Sequence, residues 1–219
     1  DWARPNDLPH ASLNGRPLTS LSLALNFAVG ELEVRGYRLV NIAVHLASTL
    51  ALFGLLKRLL RQDWARARFG ALAAPYLASA VALLWMVHPL QSECINYISQ
   101  RSESIMGFNY FMTFYCLLRG TETNRVGWYT AAVFVCSLGM MSKEVMATVP
   151  LLALLFDRTF VAGGLGLALR RRWGCYLGLA FGWLVLARQL WSEPHIGMIG
   201  FAALSPWEYA LNQCSILAR

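Results

Sequence analysis

Charge is scarce in this sequence. Only 14% of its 219 residues are charged, where a soluble domain carries about 25%. Too few charges remain to cover a globule with hydrated surface, which excludes an ordinary water-soluble fold. Acids are scarcer than bases, 12 against 19, for a net charge of +7. The lysines and arginines gather in a few loops between apolar runs. That distribution argues against nucleic acid as a partner and matches the loop bias of membrane proteins. Cysteine is sparse too. Cys94, Cys116, Cys136, Cys175 and Cys214 form no CxxC or Cys/His pattern, so neither a zinc site nor a disulfide framework is indicated. Most lie in apolar runs, as small buried hydrophobes do. A phosphate loop, a dinucleotide fingerprint, HExxH and GxSxG are all missing, which leaves no soluble nucleotide or hydrolase site. An initiating Met and a cleavable signal pattern are missing as well, and the chain reads as the interior of a longer protein.

What is present is apolar, 57% of the residues, gathered into runs near the roughly 20 residues that cross a bilayer. The expected fold class is an all-α polytopic membrane protein with about six full spans, near 37–60, 71–87, 105–118, 126–141, 145–156 and 173–190. Residues 1–36 form an external loop carrying a short interfacial helix over Leu18–Gly30, and residues 37–219 form the transmembrane helix bundle. Lys57, Arg58, Arg61, Arg66 and Arg68 place the loop after the first span in the cytoplasm. Arg119–Arg125 and the stretch from Asp157 to Arg172 are further cytoplasmic loops. Most acids (Asp1, Asp7, Glu31, Glu33, Glu93, Glu103, Glu144, Glu193) then fall on the external face, an agreement that no span required. Pro206–Tyr209 begins another helix.

The external connectors hold the chemistry. The chain is organised around His88–Glu103, set between two apolar runs. Glu93, Tyr97 and Arg101 recur every fourth residue and would share one face of a helix. Ser142-Lys143-Glu144 is a second external turn, and Arg16-Pro17 with Tyr37-Arg38 and Asn41 a third cluster. Arg101, a planar fork, and Lys143, a compact point charge, are the candidates for a donor phosphate. Glu93, Glu103, Glu144 and His88 are the supporting residues. The alternative for the same charges is a salt-bridge network that fixes the loops. A substrate with an anionic head and a lipid tail fits such a rim. No metal site is assigned, and participation of a divalent metal stays open as the one cofactor considered. His45, one turn from Asn41, reads as an interhelical hydrogen bonder, and His88 before Pro89 as a cap. Gly174, Gly178 and Gly182 form a helix-packing stripe.

Four ordered motifs carry a resemblance. Arg16-Pro-Leu-Thr-x-Leu-Ser with Leu25-Asn26 and Gly36-Tyr-Arg-Leu-Val-Asn-Ile-x-x-His45 make the first. His88-Pro-x-x-x-Glu93 with Tyr97-Ile-x-Gln-Arg-x-Glu103 is the second, Ser142-Lys-Glu144 the third, and Trp207-Glu-Tyr-Ala-Leu-Asn-Gln213 the fourth. Together they resemble the TMTC-type transmembrane and tetratricopeptide-repeat-containing O-mannosyltransferases and their bacterial relatives. The resemblance implies a GT-C glycosyltransferase bundle. It would move a sugar from a polyprenyl-phosphate carrier to a protein hydroxyl on the non-cytoplasmic face. The family's catalytic acid would lie before Asp1, so no catalytic residue is assigned, and its repeat domain would follow Arg219. The implied partners are a lipid-linked sugar donor, a protein acceptor, membrane lipids and other membrane subunits. A non-catalytic GT-C-like scaffold of a larger complex is the alternative. A transporter would need an internal repeat, and none is evident. The Ala/Arg/Leu-rich composition favours a bacterial inner membrane, with the endoplasmic reticulum membrane as second choice.

Overall fold

The computed structural model describes residues 16–70 and 72–192, and all the secondary structure among them is helical. Asp1, Glu193, Cys214 and the helix expected from Pro206 lie outside the described residues. Helix α1 runs Pro17–Gly30. It opens on a proline, whose missing N–H would have been unpaired in the first turn anyway. Helix α2, Val34–Leu59, starts where the Glu33 carboxylate accepts the Arg35 N–H. It ends with Lys57 and Arg58 against the negative pole of the helix dipole. At 26 residues it is about 39 Å long, enough to cross a bilayer.

Helix α3 is the short Asp63–Phe69, and α4 is Ala73–Met86. Ala74, Ala78 and Ala82, at four-residue spacing, are buried, and α4 packs closely on α2. The connector that follows breaks into a 3-10 turn (Pro89–Gln91), the short α5 (Ser92–Asn96) and a second 3-10 turn (Ile98–Gln100). Helix α6, Arg101–Thr123, lies between α2 and α7, Val126–Met140. A 3-10 turn (Glu144–Thr148), α8 (Val149–Asp157) and a π-helical turn (Arg158–Ala162) run as one apolar segment. Helix α9, Leu165–Ser192, packs on α7 and α8. The main core joins Leu117 and Leu118 of α6, Met140 of α7, Met146, Val149 of α8 and Leu179 of α9.

Two helical segments are long and apolar enough to cross a membrane, Val34–Leu59 and Glu144–Ala162, with mean hydropathies of 2.0 and 1.6. A third would need α3 and α4, bent by 92°, to act as one. An all-α membrane protein fits these helices, but six full spans are not shown among the described residues. Helices α4 and α7, with 14 and 15 residues, reach about 21–22 Å, short of a hydrocarbon core about 30 Å thick. Helix α6 is long enough, yet it carries Arg101, Glu103, Asn109, Thr113, Arg119 and Glu122. Its mid-helix polar groups are hidden from lipid. Asn109 donates to the Ile105 carbonyl at 2.7 Å, and Thr113 to that of Asn109 at 2.7 Å.

The glycine stripe of α9 meets α7. A Cβ at Gly178 would lie 2.7 Å from Val133 Cγ2, and one at Gly182 would lie 2.6 Å from Met140 Sδ. Gly174 faces open space. At the end assigned to the cytoplasm, two of the bases are held by acids. Arg58 meets Glu122 at 2.6 Å. Arg172, at a kink in α9 (φ −134°), donates to both oxygens of the buried Asp157 at 2.6 Å. Tyr176 also donates to Asp157, and Arg172 Nε donates to Tyr129 at 3.3 Å.

Candidate functional site

The other end of the bundle gathers the residues that the sequence singled out, but in different roles. The helix expected to align Glu93, Tyr97 and Arg101 is broken. Tyr97 is extended (φ −88°, ψ 120°) and α6 starts only at Arg101, so the three do not share a face. The break has a physical cause. Asn41 of α2 donates to the carbonyls of both Ile95 and Tyr97 at 3.4 Å, tying down backbone that a continuous helix would use internally.

Arg101 is wholly buried. Its Nε donates to Asn41 Oδ1 at 2.8 Å and its Nη2 to the Tyr37 carbonyl at 2.9 Å. Nη1 donates to Asn26 Oδ1 at 2.6 Å and to the Ser22 carbonyl at 3.1 Å. The guanidinium also lies over the Tyr37 ring, 5.5 Å from its centroid. A buried charge is tolerated when its donors are satisfied in this way. The fork expected on a phosphate is therefore committed to α1 and α2, and its position is the reason: it sits inside the junction of α1, α2 and α6, not on the rim.

The rim itself is built by Arg16, Glu103, Lys143 and Glu144. Lys143 pairs with Glu103, their side chains 22% and 29% exposed. Arg16 pairs with Glu144 at 3.5 Å and donates to Ser102 at 3.4 Å. The Leu18 N–H donates to the Met141 carbonyl at 3.2 Å, locking the start of α1 to the end of α7. Burial, and next the charge of Arg16, hold the Lys143 ammonium below its ordinary pKa, while Glu144 and Cys94 oppose the shift. Arg101 and Lys143 thus stand at the same end of the bundle, one as framework and one on the surface.

Beside the rim opens a cavity of about 320 Å³, whose lining includes Trp85, Gln91, Glu93, Cys94, Gln100 and Glu103. Glu93 and Glu103, separated by the broken connector, meet here. Burial raises the Cys94 thiol pKa, partly offset by the Ser104 hydroxyl. His88 is exposed and its Nδ1 accepts the Leu90 N–H at 3.3 Å, the capping arrangement, away from this lining. His45 makes an interhelical hydrogen bond, Nε2 to the Met86 carbonyl at 3.0 Å, and stacks on Trp85 with centroids 5.0 Å apart. Among the described residues no cluster of three His, Cys, Asp or Glu is set to hold a metal. Sequence reasoning passed over Trp85 and Gln91, gave Gln100 no role, and set Arg16 in a cluster apart from Lys143. The only available signal was the polar bias of 88–103 together with the Arg16-Pro17 motif.

The motif residues Arg16, Asn26, Asn41, Arg101, Glu103 and Lys143 are the ones joined by these bonds. Comparison with known proteins points the same way. A protein O-mannosyl-transferase tmtc2 of Xenopus laevis is 29% identical over 147 residues, 65% of this chain and 16% of that protein. Protein O-mannosyl-transferase Tmtc3 of Drosophila melanogaster is 28% identical over 142 residues, 59% of this chain and 15% of that protein. Human protein O-mannosyl-transferase TMTC3 is 25% identical over 173 residues, 77% of this chain and 17% of that protein. The chain therefore spans about a sixth of the length of these relatives. No family model matches, and no solved structure matches at a significant level. The relatives are animal proteins and lend no support to the bacterial inner membrane favoured by composition. The ordered motifs and the alignments over much of the chain agree: the chain is similar, at a distance, to the TMTC-type protein O-mannosyltransferases.

Proposed function

We propose that this chain is the donor-binding part of a GT-C-type membrane glycosyltransferase. It moves a sugar, mannose on the names of its relatives, from a polyprenyl-phosphate carrier to a protein hydroxyl on the non-cytoplasmic face. The observation that supports it most is the rim: Lys143 and Arg16 lie near one another, each holding a carboxylate and each partly open to solvent, and the Glu103 that pairs with Lys143 also lines the cavity. A lipid phosphate offers both cations a stronger set of oxygen acceptors than Glu103 and Glu144 do. The animal relatives favour the endoplasmic reticulum membrane over a bacterial one.

In this reading a carboxylate, not assigned to any residue here, takes the acceptor's proton as its hydroxyl attacks the anomeric carbon. Lys143 and Arg16 stabilise the charge that grows on the departing phosphate. Glu103 and Glu144 orient these cations before the donor arrives. Arg101 acts through the framework, holding the start of α6 and so the position of Glu103. The test is transfer of mannose from polyprenyl-phosphate mannose to an acceptor peptide by the full-length protein in membranes. Lys143→Ala and Arg16→Ala should each raise the donor KM and lower turnover while leaving the thermal midpoint near that of the parent. Normal turnover and donor affinity in both variants would remove the basis for the proposal.

A further inference from the structure

We infer that the cavity beside the rim is the sugar subsite, holding a single hexopyranose ring of the donor with Trp85 as its apolar wall and Gln91, Glu93 and Gln100 as hydroxyl partners. The inference rests on the donor reading of Lys143 and extends it to the part of the substrate that the phosphate cations do not touch. Size is the first argument. At about 320 Å³ the space lies at the small end of ligand pockets, roughly 300–1,000 Å³. One sugar ring fits there, and a folded peptide acceptor does not.

Chemistry is the second argument. Among the described residues the side chains of Gln91, Glu93 and Gln100 have no hydrogen-bond or ion-pair partner, although they line one concavity. Two carboxamides that both donate and accept, with a carboxylate that only accepts, match the mixed demands of sugar hydroxyls. Trp85 supplies an aromatic wall whose orientation is already fixed. Its indole stacks on His45, and Phe111 meets it edge-on with centroids 5.3 Å apart. His45 is itself anchored to the Met86 carbonyl. Continuity is the third argument. Glu103 belongs to the cavity lining and also to the Lys143 pair. A ring in the cavity thus brings its anomeric phosphate to the ammonium without rearrangement of the helices.

Two residues make the inference testable. Cys94 lines the cavity, whereas Cys116, Cys136 and Cys175 are buried. Gly107 also lines it, and a Cβ there would meet nothing within 4 Å. The first carbon of a Gly107→Leu side chain thus meets open space, and the added bulk falls at the cavity wall. The experiment measures labelling of Cys94 by a membrane-impermeant maleimide in the full-length protein, read on the Cys94 peptide by mass spectrometry so that other cysteines do not count. The probes are polyprenyl-phosphate mannose and the same polyprenyl phosphate without sugar. Labelling should slow several-fold with the mannosylated lipid and change little with the bare one. Gly107→Leu should abolish that protection and raise the donor KM about tenfold, a loss of about 1.4 kcal/mol, while the bare lipid phosphate still competes through Lys143. Equal protection by both lipids would put the phosphate or the lipid chain in the cavity and overturn the inference. So would no protection by either. If Gly107→Leu transfers mannose normally while Lys143→Ala does not, the sugar sits elsewhere, and only the inference falls. If neither variant affects transfer, the donor reading falls with it.

Discussion

Asn41 Oδ1 accepts the Nε–H of Arg101 at 2.8 Å, while the amide of the same Asn41 reaches the carbonyls of Ile95 and Tyr97. One carboxamide, itself fully buried, joins α2 to the first residue of α6 and to the connector that lines the cavity. Through Arg101 the same junction extends to Ser22 and Asn26 of α1. The arrangement ties α1, α2, the connector and α6 together at this end of the bundle.

Arg101→Ala should therefore be a stability variant. It strands several buried neutral acceptors, and leaving a buried acceptor unpaired costs about 1–3 kcal/mol. Arg101→Lys should recover only part of this, because an ammonium cannot bridge acceptors on Ser22, Asn26, Tyr37 and Asn41 at once. Thermal unfolding in detergent should show a clear drop in midpoint for both, the larger for alanine. At temperatures where Arg101→Lys remains folded, donor KM should stay close to the parent value. A parent-like midpoint with lost donor affinity would return Arg101 to the role of phosphate ligand.

Lys143 makes an opposite prediction. Its pKa is lowered, chiefly by burial and then by Arg16, so in the folded protein the charged form is disfavoured. The unfolded chain holds its proton up to the ordinary 10.5. Between the lowered value and 10.5 the unfolded state binds more protons, and stability rises with pH there. Donor binding runs the other way. In the proposed role it needs the ammonium and should fall as pH climbs through the lowered pKa. Lys143→Arg should move that alkaline limb of donor KM upward, since guanidinium keeps its charge. The check is donor KM against pH for the parent and Lys143→Arg. Coincident alkaline limbs would separate Lys143 from the phosphate.

Much of this end of the molecule was legible in the sequence because charge is costly near a bilayer. Lys143, Glu144, Glu103 and Arg16 stood out as polar punctuation between apolar runs, and they do converge. His45 was legible for the same reason: one imidazole in an apolar helix needs a partner, and the Met86 carbonyl provides it. Periodicity failed at Tyr97 because it is a local signal, whereas the break is held by Asn41, more than 50 residues away. Arg101 was misplaced for a related reason. Its acceptors on α1 lie 75 and 79 residues earlier, and nothing in the spacing shows that α1 folds back over the start of α6. Six spans are not shown among the described residues: the apolar runs taken as spans include α7, whose 15 residues fall short of the hydrocarbon core.

The glycine stripe of α9 separates packing from composition. Gly178→Ala would press a methyl into Val133, the Cβ standing 2.7 Å from Cγ2. Val133 is β-branched and stiff, so it cannot swing away as a longer side chain would. Overpacking of this kind costs about 1–3 kcal/mol. Gly174→Ala meets nothing within 4 Å and gains helix propensity of up to about 1 kcal/mol. The two variants carry the same added atom on the same helix one turn apart, and their thermal midpoints should move in opposite directions. Gly182 is intermediate, because its nearest neighbour is the flexible end of Met140, which can shift at less cost. Gly178→Ala should fall most, Gly182→Ala less, and Gly174→Ala should hold or rise. A uniform effect at all three would mean that α9 does not pack on α7 through this face.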